Sequence, residues 1–312
     1  MELVRGLQNI SRRHRGCVLT VGNYDGVHLG HQQIIGMLNE RAAQMRSAAT
    51  VLVFEPNSKE FIDPDGAPPR LTRWREKFIA LEAHGVERLV TLRFDESMRA
   101  MSPRTFVDEL IVERLGVRHM VVGDDFRYGS HAGGTIESLR SAGHAHGFGV
   151  DQMAPFVLDG VRVSSTAVRE RLGLGNFLGA ARLLGRPYRM TGRVVHGRQL
   201  GRTLGFPTAN LRLMRRRSPV WGILAVWVHG IDSRPLPGVA SLGTRPTVNG
   251  TEPLLEVHLF DFSGELYGRA IEVEFVAKLR DEVKFESVAA MKVQMNVDGA
   301  DARDLLSKVD SG

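Results

Sequence analysis

Two histidines, His28 and His31, stand three residues apart in the stretch TVGNYDGVHLGHQQII (residues 20–35), where an apolar run ends, a glycine-bearing turn follows and a helical pattern begins. The free N–H groups of a helix that starts after a strand point at whatever lies beyond the strand end. Imidazoles in that first turn can donate to phosphate oxygens and to the charge that grows as a phosphorus centre is attacked. Gly22, Gly26 and Gly30 let the backbone approach such a ligand closely. A His-x-x-His pair supplies only two metal ligands, and His131, His144 and His146, which could complete a set, fall in polar, glycine-rich segments. The placement favours phosphate over a metal ion, and either over a buried core imidazole.

Three further stretches carry groups of the same kind. VRVSSTAVRERL (161–172) sets Ser165 and Thr166 before a short helix, with Thr166 expected as its N-cap and Arg169 three residues on. An ordinary cap with an exposed arginine would explain it alone; beside the histidine motif, hydroxyls, helix N–H groups and a guanidinium read as a second phosphate clamp. GRVVHGRQLGRTLGFPTANL (192–211) places Gly197, Gly201 and Gly205 ahead of Thr208 and Asn210, glycines that suit a polyphosphate and oxygens two residues apart that suit one hard cation. In LLEVHLF, alternation puts Leu255, Val257 and Leu259 on one face and Glu256 with His258 on the other, where an acid is ordinarily just solvated.

The elements that must position these groups follow two grammars. In the first half, CVLTV (17–21), TVLVF (50–54), RLVTL (88–92) and HMVV (119–122) are continuous apolar runs, as in strands buried on both faces. Helical patterns lie between them. SPRTFVDELIVERLG has Ser102 to cap, Pro103 to open and Gly116 to end a helix, with Phe106, Leu110, Ile111 and Leu115 on one stripe. The fold class is therefore α/β plus β: a doubly wound parallel sheet over residues 1–185, then an antiparallel sheet over 186–312, expected to close as a barrel and to be covered by a C-terminal helix.

The 312 residues, 43% hydrophobic, suffice for two domain cores. The net charge of +6 suits anionic small substrates, while the one conspicuous cationic run, Arg215 to Arg217, lacks interleaved aromatics and reads as a solvated loop rather than a nucleic-acid patch. Cys17 is the only cysteine, so a disulfide framework and a thiolate metal cluster are excluded. No apolar run approaches membrane-spanning length and the N-terminus has no signal-like core, so a cytoplasmic location without nucleic-acid or membrane partners is expected. Gly173, Gly175 and Gly179 are off register for a dinucleotide-binding fingerprint.

GNYDGVHLGH resembles the HxGH signature of the nucleotidyltransferase superfamily, and VSSTAVR is similar to that family's second element. GDDFRYG (123–129) resembles an element specific to the adenylyltransferase domain of bacterial FAD synthetase. GFPTANL resembles the PTAN motif of riboflavin kinase, and LPGVASLGTRPTV and ELYGRAIEV look like the same family. The resemblance implies a Rossmann-like nucleotidyltransferase domain followed by a six-stranded riboflavin kinase barrel. It implies that ATP is the co-substrate, riboflavin and FMN the acceptors, FMN and FAD the products and Mg²⁺ the metal. By the same resemblance Glu256 takes the place of the kinase base, His28, His31 and Arg169 serve adenylyl transfer, and Asp125 and Phe126 meet the flavin. Gly22, Asn23, Asp25, Gly30, Ser165, Thr166, Gly197, Gly201 and Gly205 would hold ATP phosphates, and Thr208 and Asn210 the metal. Ser58 stands where a second proline is usual after FEP, SHAGGT (130–135) departs from the family pattern, and Leu224 replaces a common tyrosine. A flavin-binding regulator of the same fold is the alternative, but a pure binder has no need of a base beside a metal pair.

Overall fold

The computed structural model describes residues 1–197, 205–247 and 250–310. The chain forms two compact units, Met1–Pro68 with Trp74–Ser164, and Pro69–Arg73 with Ser165–Gly312. No helix among the described residues is long and apolar enough to cross a membrane.

The first unit is built on a six-stranded parallel sheet: β1 (Glu2–Arg5), β2 (Val18–Val21), β3 (Ala49–Glu55), β4 (Arg88–Arg93), β5 (His119–Val122) and β6 (Gly149–Gln152), ordered β1-β4-β3-β2-β5-β6. The four apolar runs of the sequence are its four inner strands. Successive residues go to opposite faces: Leu19, Leu52 and Val90 join one buried cluster with Phe106, Leu110 and Ile111, while Val18, Val51 and Leu89 join another with Ile35, Leu38 and Leu81. Burial on both faces is what a continuous apolar strand requires. β1 and β6 have no such run because they are edges, where half-buried polar residues such as Glu2 and Asp151 are tolerated.

After β2 the chain builds outward through β3 and β4, then returns to lay β5 on the other side of β2. That reversal opens a crevice at the carboxyl ends of β2 and β5, the usual ligand position in such sheets. The loops that leave those ends carry GNYDGVH and GDDFRYG. A two-stranded hairpin, β7 (Val157–Leu158) with β8 (Val161–Arg162), completes the unit.

Two local readings are corrected. Ser102 caps as expected, its hydroxyl accepting from the Thr105 N–H, but beyond Thr105 the segment Phe106–Arg114 winds as a π-helix. The wider turn brings Val107 onto the buried side together with Phe106, Leu110 and Ile111. Thr166 is not an N-cap: the helix Ser165–Gly173 has already begun one residue earlier, leaving the cap position to Ser164.

In the second unit, β9 (Arg189–Val195), β10 (Ala209–Arg212), β11 (Gly222–His229), β12 (Leu236–Thr247), β13 (Gly250–Leu259) and β14 (Ala270–Arg280) close into an antiparallel barrel in the order β10-β13-β12-β11-β14-β9. Met190, Leu211, Val226, Ala240, Leu255, Val257 and Val273 fill it. Leu224, which stands where a tyrosine is common, is wholly buried. The helix Val288–Asp310 lies outside, where Ala302 and Leu306 cover Ala225 and Phe260. A two-toothed ion pair between Arg280 and Asp298, at 2.8 and 2.6 Å, ties that helix to the end of β14. The helices Ser165–Gly173 and Phe177–Leu184 group with this unit, and the Phe177 ring stacks on Phe275 of β14 at 5.8 Å.

The strap Pro69–Arg73 also belongs here. Arg215 donates to the carbonyls of Arg70 and Leu71 at 2.6 and 3.2 Å, and the Tyr188 hydroxyl donates to Leu71 at 3.0 Å. Arg215 is therefore buried rather than part of a solvated run, because strap carbonyls with no sheet partner need its donors. Arg216 and Arg217 are exposed, as read from the sequence.

Candidate active sites

The loop after β2 is held in an unusual shape. Tyr24, Gly26 and Val27 all take positive φ, at 47°, 86° and 43°. For a β-branched residue that conformation is strained by about 1–3 kcal/mol, and it persists where the surroundings over-determine it. They do so here: Val27 is fully buried, and the buried Tyr24 ring bonds its hydroxyl to Thr20 at 2.6 Å. Burial also pushes the Tyr24 phenol up, so it stays neutral.

The turn delivers His28 to the N-cap of the helix Leu29–Met45, where its Nδ1 accepts from the His31 N–H at 3.3 Å. With Nδ1 used as acceptor, a neutral His28 carries its proton on Nε2. The His28 and His31 rings stack with centroids 3.7 Å apart and planes 16° from parallel, and Tyr24 flanks His31 at 4.8 Å. Gly30 makes the stack possible, since a Cβ there would sit 3.3 Å from the His28 ring and 3.4 Å from the Val163 carbonyl. Burial, then the neighbouring His28, then Lys77 hold the His31 imidazole well below its ordinary range. Lys77 is buried on the helix Trp74–Ala83, and sequence reading passed over it. The signal was a lysine on the stripe Trp74, Lys77, Phe78, Leu81, where an apolar residue belongs.

Of the other expected residues in this unit, Gly22 lies directly after β2, Asn23 is exposed at the turn and Asp25 is buried within it. After β5, Gly123 approaches Ile34 of the Leu29–Met45 helix, and Asp125 is exposed, 3.5 Å from Arg162. Arg162 lies closer to Asp124, at 2.9 Å, and this arginine too was missed. Phe126 is half-buried and stacks on Tyr128 at 5.8 Å. The departing SHAGGT segment follows as a short turn in which His131 and Ala132 take positive φ. Ser58, the other departure, opens the short helix Ser58–Ile62, capped by Asn57.

In the second unit Ser165 is half-buried and Thr166 exposed in the first turn of their helix. Arg169, one turn on, donates its Nε to the Pro69 carbonyl at 2.7 Å, which fixes the guanidinium against the strap.

On the barrel, register brings the remaining groups into line. Asn210 of β10 stands opposite Glu256 of β13, and Glu256 stands opposite Ser241 of β12. Their neighbours Leu211, Leu255, Val257, Ala240 and Leu242 point inward, so Asn210, Glu256 and Ser241 share the outer face, with adjacent Cβ atoms about 5 Å apart. Asn210 is only 7% exposed even so, and its amide donates weakly to the Thr208 carbonyl at 3.5 Å. Gly197 lies against that amide, and any side chain at 197 would collide with it. Gly205 takes a φ of 88°, which favours glycine, and Gly201 lies outside the described residues. His258, two residues beyond Glu256, is bonded through Nδ1 to the Pro207 carbonyl at 3.0 Å, joining the strand to the PTAN segment. No three His, Cys, Asp or Glu side chains among the described residues converge as metal ligands. A cradle of one buried amide and a nearby hydroxyl fits Mg²⁺ bound chiefly by phosphates, which needs only one or two protein oxygens.

Two family models match the chain, one after the other. Residues 10–167 match the FAD synthetase family model and residues 184–306 the riboflavin kinase model. The bifunctional riboflavin kinase/FMN adenylyltransferase of Pseudomonas fluorescens is 48% identical over 306 residues, 98% of each chain, and that of Escherichia coli K12 is 46% identical over 305, 97% of each. A crystal structure described as a macrolide-efflux protein from Streptococcus pneumoniae superposes with a TM-score of 0.80 at 29% identity, covering 96% of this chain and 97% of the other. A chain matched along nearly its whole length in both halves, in the same order, belongs to the bifunctional riboflavin kinase/FMN adenylyltransferase family.

Proposed function

We propose that this chain makes FAD from riboflavin in two steps, phosphorylating riboflavin with ATP to give FMN and ADP, then adenylylating FMN with a second ATP to give FAD and pyrophosphate. The observation that carries the reading is that both family models match one chain whose Asn210–Glu256 row and stacked His28–His31 pair are intact. Kinase chemistry is assigned to residues 186–312 and adenylyl transfer to residues 1–185. Cytoplasmic ATP and flavin are the expected substrate pools.

In the barrel, Glu256 takes the proton from the terminal ribityl hydroxyl as that oxygen attacks the γ-phosphorus, and ADP leaves. Thr208 and Asn210 would hold Mg²⁺, which when bound neutralises phosphate charge. Gly197, Gly201 and Gly205 admit the polyphosphate beside them.

In adenylyl transfer an FMN phosphate oxygen attacks the α-phosphorus and pyrophosphate is expelled, with no covalent enzyme intermediate. His28, through Nε2–H, and the neutral His31 donate to the charge on the pentacoordinate phosphorus. Gly22, Asn23, Asp25 and Gly30 shape the ATP seat, and Ser165, Thr166 and Arg169 bind phosphate oxygens. Asp125 and Phe126 contact the flavin. The test is incubation with riboflavin, ATP and Mg²⁺ followed by separation of the flavins. FMN and FAD should appear in turn; unchanged riboflavin, with added FMN also left unadenylylated, would contradict the proposal.

A further inference from the structure

Ser241, directly across β12–β13 from Glu256, donates its hydroxyl to Oε1 of Glu282 at 3.0 Å. Glu282 lies two residues beyond the end of β14, in a connection that need not approach the barrel face. Gly243, next but one to Ser241 on the same face of β12, makes the room: a side chain there would overlap both Glu282 oxygens. Position, hydroxyl and missing side chain thus agree in seating a second carboxylate over the row that holds Glu256.

Two cations close to it in sequence are paired elsewhere. Arg280 is committed to Asp298, and Lys278 to Asp281 at 2.6 Å. Among the described residues no cation pairs with Glu282. A carboxylate is acceptor-only, and with Oε1 accepting from the Ser241 hydroxyl its other oxygen still has lone pairs to offer. A donor suited to that place is an uncharged hydroxyl, since a phosphate would be repelled.

We infer that Glu282 is a specificity-determining residue of the kinase site, accepting a hydrogen bond from a secondary hydroxyl of the ribityl chain and so aiming the terminal hydroxyl at Glu256. The inference rests on the kinase reading above and adds the part of the acceptor that is recognised. A site built to accept a substrate O–H rejects analogues that lack it, because its own polar group is then left unpaired.

The test compares riboflavin with a flavin bearing an ω-hydroxypentyl chain, which keeps the terminal hydroxyl and has no secondary ones. The unaltered enzyme should prefer riboflavin in kcat/KM. Glu282→Ala should shrink that preference about 10- to 100-fold, through riboflavin alone and with the KM for ATP unchanged, the loss expected for a hydrogen bond to a charged acceptor. Glu282→Gln, which keeps the shape, should fall between. A Glu282→Ala enzyme that loses activity equally toward both flavins, or loses none, overturns the inference. An unaltered enzyme that phosphorylates neither overturns the kinase reading as well.

Discussion

The imidazole rings of His28 and His31 lie face to face, 3.7 Å between centroids, with the backbone N–H of the second donating to Nδ1 of the first. Two imidazolium charges cannot share that spacing. Burial, His28 and Lys77 together hold His31 neutral far below its ordinary range. Its midpoint, followed by imidazole NMR, should lie well under 6.5. The linkage sign follows: above about pH 6.5 His31 is neutral in both folded and unfolded chains and contributes no pH slope. As pH falls through the window down to the lowered folded value, the unfolded chain binds a proton that the folded one refuses, so stability drops. His31→Gln should flatten that part of the acid limb in denaturant titrations; a limb of unchanged slope would contradict the assignment.

His28 does two jobs that substitution can separate. As N-cap it accepts one of the otherwise unpaired N–H groups of the Leu29–Met45 helix, worth about 1 kcal/mol. As a donor to the transition state it should be worth about 10²–10³ in rate. Asparagine is among the best caps. His28→Asn should therefore keep the thermal stability of the first unit and still lose FAD formation by that factor, while FMN formation stays near normal. His28→Ala should lose both cap and rate. FAD synthesis surviving in His28→Asn would show the ring to be structural.

How far these features could be read in advance depends on range. The strand, turn and helix around His28 are local, so glycine spacing and the passage from a continuous apolar run to a helical pattern sufficed to place the histidines. The inward set Leu255, Val257 and Leu259 followed in the same way from alternation. Lys77 was visible only as a lysine on an apolar stripe, and its effect on His31 comes from packing. Ser241 and Glu282 are 41 residues apart and meet because β12 and β14 both pair with β11, where Ile223 stands between Ser241 and Arg280, a neighbourhood that no local pattern encodes. The strap Pro69–Arg73 is the extreme case: five residues flanked by first-unit chain whose carbonyls are satisfied by Arg215, Arg169 and Tyr188. That is also why Arg215 could be taken for a loop cation.

Glu256→Gln keeps the volume and row position of the side chain but cannot take a proton. FMN formation from riboflavin should fall by about 10²–10⁴, the usual contribution of a positioned base. FAD formation from supplied FMN should be unaffected, since the adenylyl-transfer groups are elsewhere in the sequence. Assaying each half-reaction with its own acceptor separates the two. Equal loss in both would mean that Glu256 supports the fold rather than the phosphoryl step.

Gly197 offers a test of the metal cradle that does not touch a ligand atom. Its backbone lies outside the positive-φ region, so alanine there brings no conformational strain. The one consequence is steric: the new methyl would overlap the Asn210 amide, which is short, buried and cannot swing away as a long side chain could. Gly197→Ala should therefore displace Asn210 while leaving its chemistry in place. If Asn210 helps to hold Mg²⁺, the Mg²⁺ concentration that half-saturates FMN formation should rise about tenfold, one such ligand being worth a hydrogen bond to charge of roughly 1.5 kcal/mol. Excess Mg²⁺ should restore much of the rate. A displaced Asn210 acting only as a strand residue would instead lower the rate, or the melting temperature of the barrel, by an amount that Mg²⁺ does not repair.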